Sequence, residues 1–278
     1  MIKFYTRSFN IELWLKSSAL YRDLGYPIVR LTDQSADGYF LTMLSDDDCD
    51  VAINVDEDCF VVNPQAVMQL VDKVINEGYA NAGCPDCAEG CPRGSNPVVT
   101  NPFFNILNLK LIRTKFSRQA VAAFNYQEHK EELKARVPKE LITGSHNFDV
   151  TDQEPYYPFF LWLAYEFKTL YLPAKRHNDG ITTMLYDEQQ NLVAEHTWFA
   201  RFYTLPTWLV RFAQNDKGRQ KQRIDNVITE VYEMRGMTVP YVPSLKIVSD
   251  RIVRWTIKIP QRISRWPAKL RRKVAGRR

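Results

Sequence analysis

The sequence predicts an α/β fold: a mostly parallel sheet flanked by helices, followed by a basic amphipathic helical extension. Three observations predict it. Strand-like and helix-like segments alternate through the first third of the 278 residues, and strands separated by helices pair in parallel through crossovers. A composition of 45% hydrophobic and 25% charged residues suits a soluble globular protein with a sizeable core. The net charge of +5 divides into −6 over residues 1–245 and +11 over residues 246–278, which separates an acidic main domain from a basic tail.

Ile2–Arg7 (IKFYTR) reads as a strand and Ile11–Leu24 as an amphipathic helix. Pro27–Asp33 is a second strand, Ala36–Ser45 a short helix, and residues 51–55 (VAINV) a buried strand. Asn63–Gly78 is a helix with Asn63 as N-cap, Pro64 at its first position and Gly78 as its stop. Gly83–Pro102 gathers Cys, Pro, Gly and Asn and reads as a long loop, often a functional feature. Phe103–Phe116 is strand-like, and Gln119–Arg136 is a polar helix. Glu154–Phe167 is an apolar helix with Glu154 at its start and Pro155 in its first turn. Lys168–Arg176 is a strand, a strand or hairpin surrounds Asp187–Asn191, and Arg219–Gly236 is a charged helix. The first eighteen residues carry charges throughout, so no secretory signal is expected, and no stretch approaches the 18 apolar residues of a spanning helix.

The stretch DVAINVDEDCFVVNP (Asp50–Pro64) concentrates the chemistry. A buried strand ends in Asp56, Glu57 and Asp58, three like charges that repel one another and resist desolvation. Ligands of parallel α/β sheets bind beyond the carboxyl ends of the strands. Asp56 and Asp58, two residues apart at such an end, suit a hard divalent cation that shares its shell with phosphates. A solvated acidic turn is the plain alternative.

NVDEDCFV resembles the Asp-x-Asp signature of GT-A-fold glycosyltransferases. The longer LSDDDCDVAINVDEDCFVVNPQAVMQLV fits its surroundings of helix, strand, acids, apolar patch and helix. The resemblance spans roughly residues 1 to 200 as architecture and about ten residues as a motif. It departs in placing the acids by residue 56, early enough to require a compact nucleotide-binding lobe. It implies a nucleotide-sugar donor and Mn²⁺ or Mg²⁺ held by Asp56 and Asp58, with His196 completing the shell. It further implies donor contacts from Asp56, Arg201, Arg7 and Asp33. An inverting enzyme needs a general base, for which Glu154, or Asp152 beside it, is placed by a helix N-terminus; simple capping explains both acids equally. Asn101 and Asn105, together with His177 and Asp179 after a predicted strand end, are candidates for sugar or acceptor binding. The same acids leave open a haloacid-dehalogenase-type phosphatase or nucleotidyltransferase, although Phe60 stands where the phosphatase motif has Thr or Val. A non-enzymatic membrane or nucleic-acid adaptor also stays open.

Five cysteines with no export signal predict a reducing compartment. Cys84, Cys87 and Cys91 are spaced to wrap a structural Zn²⁺ if a fourth ligand comes from Cys49 or Cys59, and are otherwise free thiols. In the tail, Arg251, Arg254, Lys258, Arg262, Arg265 and Lys269 form one stripe. Ile252, Trp255, Ile259, Ile263, Trp266 and Leu270 form the other, with Pro260 and Pro267 as kinks. A cationic band beside an apolar one suits an anionic membrane surface. The acidic body and the lack of a stacking platform argue against nucleic acid. The expected setting is peripheral, on the cytoplasmic face of a bacterial inner membrane, with a lipid-linked or surface-polysaccharide acceptor.

Overall fold

The alternating residues of β1 (Ile2–Arg7) pair on both sides, with β2 (Ile28–Leu31) and β3 (Val51–Val55), both parallel. The computed structural model describes residues 1–32, 38–87, 94–203, 216–254 and 256. Two further parallel strands, β5 (Tyr79–Gly83) and β7 (Lys168–Tyr171), join through the antiparallel β6 (Phe104–Asn108), giving the order β2–β1–β3–β6–β5–β7. The predicted mostly parallel sheet flanked by helices is therefore the fold observed. A smaller antiparallel sheet, in the order β4–β10–β9–β8, combines β4 (Cys59–Val61) with β8 (Ala174–Arg176), β9 (Thr183–Tyr186) and β10 (Leu192–His196).

The strand period of two sorts the core. Phe4, Val51, Ile53 and Val55 join one apolar cluster with Val67, Val71 and Val74 of α3 (Pro64–Asn76). Tyr5 and Ala52 face the other cluster with Phe160, Trp162 and Leu163 of α7 (Tyr157–Glu166). Packed on both faces, β3 needs no polar alternation and is buried at every position. Asn63 caps α3 by accepting from the Ala66 N–H at 3.0 Å, and Gly78, at φ 70°, ends its run as predicted.

Other expectations are corrected. The helix expected to Leu24 is α1 (Ile11–Ala19), followed by a 3₁₀ turn at Arg22–Leu24 that Gly25 closes at φ 76°. The short helix α2 is Gly38–Leu44, and α4 (Leu109–Ile112) ends the stretch after β6. The polar helix is two, α5 (Arg118–Ala123) and α6 (Tyr126–Arg136), because Asn125 caps a new start by accepting from the Gln127 N–H. The strand expected over Lys168–Arg176 divides at Pro173, which has no N–H for a ladder; β7 stays in the large sheet and β8 enters the small one. The hairpin around Asp187–Asn191 joins β9 to β10 as predicted. The charged helix is α8 (Asp216–Met234), burying Ile224, Val227, Ile228 and Val231.

Contacts divide the chain into Met1–Pro240 and Tyr241–Arg278. Within the second unit residues 244–254 are helical, with an Asp250–Arg254 ion pair at 3.7 Å. The tail stripes from Trp255 onward lie almost entirely outside the described residues. Among the described residues no helix is long and apolar enough to cross a membrane.

A buried polar ladder fixes where β5 meets β6. Asn105 donates to Thr100 Oγ1 at 3.0 Å and to Asn81 Oδ1 at 3.3 Å, and Asn81 donates to Thr100 Oγ1 at 2.8 Å. Gly83 leaves room for it: a Cβ there would stand 2.5 Å from Asn105 Nδ2 and 3.0 Å from the Phe104 carbonyl oxygen. Gly83→Ala should therefore cost about 1–3 kcal/mol, read as a lowered urea midpoint. An unchanged midpoint would mean the ladder yields freely.

Candidate active site at the turn between β3 and β4

The chain leaves the large sheet at Val55 and enters the small one at Cys59 through a tight turn, in which the Cys59 N–H donates to the Asp56 carbonyl at 3.0 Å. Three successive carboxylates in so short a turn must diverge, and each finds a different surrounding.

Asp56 points back along β1. Its Oδ2 lies 3.9 Å from Arg7 Nη2, and the Arg7 guanidinium sits over the Tyr39 ring at 5.4 Å. Its other oxygen, Oδ1, is buried without a hydrogen-bond partner. Burial pushes the Asp56 carboxyl up to about 6, against the pull of Arg7. Glu57 turns toward α1 and takes three hydrogen bonds on Oε2: from Ser8 Oγ at 2.8 Å, the Phe9 N–H at 2.8 Å and the Asn10 N–H at 2.6 Å. It locks the loop that carries Arg7 and the α1 N-cap, a structural role. Asp58 faces the small sheet, with Oδ1 3.3 Å from His196 Nε2 and Oδ2 accepting from the Ala200 N–H at 3.3 Å. Burial works to raise its carboxyl, but the imidazole and the N–H outweigh it and hold it below the usual range.

His196 is buried, stacked on Phe103 at 4.4 Å and tilted against Trp198 at 4.3 Å, with Nδ1 unpartnered. The chain beyond it is strained: Trp198 and Phe199 both stand at φ 59°, a left-handed conformation that side chains of their size rarely take. Hydrogen bonds over-determine it. Trp198 Nε1 donates to Thr183 Oγ1 at 2.9 Å, Arg223 Nη2 to the Thr197 carbonyl at 2.5 Å, and the Thr197 N–H to the Asp58 carbonyl at 2.9 Å.

By residue type the donor set suits a divalent cation. It offers two carboxylates and an imidazole at the end of a buried parallel strand, with two buried ligand atoms, Asp56 Oδ1 and His196 Nδ1, lacking partners. Asp58 and His196 already touch. Asp56, Asp58 and His196 do not form a set with all ligand atoms within 4.8 Å of one another; among the described residues only His177, Glu195 and Glu230 do.

The remaining candidates separate. Arg201 lies exposed in a 3₁₀ turn close behind His196, over the Phe199 and Phe202 rings at 5.3 and 5.1 Å. Asp33 is outside the described residues. Asp152 is exposed, and Glu154 precedes rather than starts α7, its carbonyl accepting from the Tyr157 N–H at 3.1 Å. Burial raises the Tyr156 hydroxyl well above the usual range, with Asp86, Tyr157 and Glu154 adding to it.

The substrate role expected for Asn101 and Asn105 is corrected. Both are buried: Asn101 donates to Asp86 Oδ1 at 2.5 Å and accepts from the Phe103 N–H, while Asn105 belongs to the ladder above. His177 and Asp179 lie in the β8–β9 hairpin. Asp179 accepts from the Ile181 and Thr182 N–H groups, the Thr182 hydroxyl and Arg223, and these outweigh burial to hold it well below the usual range. The three-thiolate zinc set is corrected as well. Cys87 is disulfide-bonded, so its sulfur is no thiolate, whereas Cys84 is free and buried in the core and Cys91 lies outside the described residues.

Asp86 escaped the sequence reading. It is buried beneath the loop after β5, accepting from Asn101 and from the Tyr157 hydroxyl at 2.6 Å, and its carbonyl takes Ser95 Oγ at 2.7 Å. Arg223, Glu195 and Glu230 were missed too. The one available signal was Glu195, a carboxylate inside the apolar strand sequence LVAEH.

No family model matches the chain, and no curated protein matches it. Among the solved structures that match are three with partial similarity. The protein A197 from STIV has 14% identity and a TM-score of 0.36, covering 69% of this chain and 92% of its own. A glycosyltransferase involved in glycosylation of the major capsid of PBCV-1 has 13% identity and a TM-score of 0.30, covering 58% and 88%. An active-site mutant of LgtC has 13% identity and a TM-score of 0.37, covering 82% and 96%. What the site can do is decided by its own residues.

Asp56 gives a pH test. Its folded value of about 6 exceeds the ordinary 3.8, so the native protein keeps a proton that the unfolded chain releases between those values. The stability it contributes is complete below about pH 4 and is lost as the pH rises through 6. Metal-free Asp56→Asn should gain on the wild type between pH 4 and 7.5 by up to about 3 kcal/mol, read from thermal melts. Parallel melting curves across that range would mean a fully compensated carboxylate.

Proposed function

We propose that the chain is a metal-dependent glycosyltransferase, moving a sugar from a nucleotide-sugar to a hydroxyl of a lipid-linked or surface-polysaccharide acceptor. The observation that carries this reading is the Asp56, Asp58 and His196 arrangement. Two carboxylates flank a turn at the end of a buried parallel strand, an imidazole touches the second, and the first keeps a buried oxygen without a partner. Asp56, Asp58 and His196 would hold Mn²⁺ or Mg²⁺, which when bound supplies charge neutralisation for a leaving diphosphate.

The chain's own groups do the rest. Glu57 fixes the loop after β1 so that Arg7 stands beside Asp56, where its guanidinium can pair with a phosphate of the donor. Arg201, exposed on the segment that follows His196, can close on the same phosphates from the other side. Asp33 belongs to the reading as a contact to base or ribose. Glu154, with Asp152 beside it, is the candidate base that takes the proton of the acceptor hydroxyl.

The tail belongs to the same proposal. The helix at 244–254 exposes Leu245, Val248, Ile252 and Val253, and the basic residues from Lys246 onward can meet anionic lipid, each worth about 1 kcal/mol near the surface. That would place the enzyme peripherally on the cytoplasmic face of an inner membrane, beside a lipid-linked acceptor.

Two measurements test these statements. A panel of nucleotide-sugars with Mn²⁺ should show donor turnover that Asp58→Asn and His196→Ala each lower by about 10²-fold or more, with folding checked by circular dichroism. Turnover of phosphomonoesters with no nucleotide-sugar accepted would replace the transferase by a phosphatase. Removing residues 246–278 should release the protein from anionic vesicles and leave nucleotide binding intact; retention on the vesicles would remove the membrane role.

A further inference from the structure

The small sheet carries a second chemical cluster on its other face. Glu195 and His196 are successive residues of β10, so their side chains leave the sheet in opposite directions. His196 meets Asp58, whereas Glu195 meets His177 of the β8–β9 hairpin and Glu230 of α8.

Glu195 is fully buried, and neither of its carboxylate oxygens has a hydrogen-bond partner. An unsatisfied buried polar group costs about 1–3 kcal/mol, and more when charged. Protonation, which burial favours, removes the charge but leaves the group with no partner at hydrogen-bond distance. What the cluster lacks is a cation. The ligand atoms of His177, Glu195 and Glu230 all lie within 4.8 Å of one another, and His177 Nε2 is 3.2 Å from Glu230 Oε2. Two ligands of a tetrahedral Zn²⁺ stand roughly 3.4 Å apart, so only a small closure is needed. Glu230 can supply it, since its side chain is 48% exposed and leaves the cluster open to solvent.

The surroundings fix the tautomer of His177 and place a carboxylate behind its ring. Its Nδ1 accepts from the Asp179 N–H at 3.1 Å and lies 3.5 Å from Asp179 Oδ1. The Nε2 proton therefore points at Glu230. For an ion to take Nε2, that proton must move to Nδ1, which then gives up the Asp179 N–H and donates instead to the Asp179 carboxylate 3.5 Å away. Thr182 and Arg223, at 2.6 and 3.0 Å, hold that carboxylate in place. A carboxylate behind a ligating imidazole is the usual second layer of a zinc site.

We propose that His177, Glu195 and Glu230 bind Zn²⁺, joining the β8–β9 hairpin, β10 and α8. The two glutamates balance the charge of the ion, and the imidazole nitrogen favours a transition metal over Mg²⁺ or Ca²⁺. Three protein ligands leave a fourth position to water. The site is separate from the Asp56 and Asp58 arrangement and does not depend on the transferase reading.

The test uses the full chain carrying Asp56→Asn and Asp58→Asn, so that the other candidate cation site is disabled. After chelation and dialysis, calorimetric titration with Zn²⁺ alone should find one equivalent. Adding Glu195→Gln or His177→Gln should weaken it at least tenfold. Glu230→Gln, a change at an exposed position of α8 that folding tolerates, should do the same. Substituted Co²⁺ should give visible absorption that His177→Gln abolishes. No zinc uptake, or undiminished uptake in both the Glu195→Gln and Glu230→Gln proteins, would overturn the assignment.

Discussion

Everything around the candidate active site depends on how the chain disposes of three adjacent negative charges in one turn. Asp56, Glu57 and Asp58 cannot share a direction without repulsion, and the turn carries the chain from one sheet to another at the same step. The fold resolves both constraints together. Asp56 looks back at β1 and Arg7, Glu57 looks sideways at the loop between β1 and α1, and Asp58 looks forward to the second sheet and His196. The middle carboxylate is the anchor: its three hydrogen bonds fix Ser8, Phe9 and Asn10. Because Asn10 also caps α1, accepting from the Glu12 N–H at 2.9 Å, one carboxylate oxygen and one amide set the path of the chain that bears Arg7.

The second sheet answers from its side. His196 needs its ring held against Asp58, and the strained pair Trp198–Phe199 folds the following chain back over the turn so that the Ala200 N–H reaches the same carboxylate. Two side chains in the left-handed region cost on the order of 1–3 kcal/mol each. That cost is sustained because Arg223 clamps the carbonyls of Thr197 and Trp198 from α8 while also holding Asp179 and Thr182. Geometry at the turn is thus maintained from a helix more than 150 residues away in the chain.

How much of this the sequence discloses depends on whether the signal is local. β1 and β3 have the residues predicted for them, because their apolar residues face cores that the pattern itself defines. The Asp56 and Asp58 pair is legible for the same reason, as charge set hard against a buried strand. β5 (YANAG) was hidden: Ala, Asn and Gly are poor strand formers, and only burial between β6 and β7 makes a strand of them. Asn105 misled because an amide suits sugar binding as well as a buried ladder, and only the partner strand decides. Glu57 looked like part of the charge cluster, and its structural role needed the β1 loop in place. Asp86, Arg223 and Glu230 carry no local pattern at all. The partners that give them their places, Asn101 and Tyr157 for Asp86, Trp198 and Asp179 for Arg223 and His177 for Glu230, are 15 to 71, 25 to 44 and 53 residues distant, so no short window of sequence contains these interactions.

β10 is the element that these interactions share. Its neighbours Glu195 and His196 present a carboxylate to one face and an imidazole to the other, and its pairing with β4 places His196 opposite Cys59 at the end of the acidic turn. A strand hydrogen-bonded on both sides cannot tilt one residue without moving the next. Whatever fixes Glu195 on the helix-facing side therefore also limits how far His196 can move from Asp58. The register shift between Leu192 and Ala194 lies at the far end of the strand, so irregularity is absorbed before the two residues that face chemistry. The small sheet thus acts as a rigid partition: it holds two separate polar clusters apart while tying the geometry of each to the same few backbone hydrogen bonds.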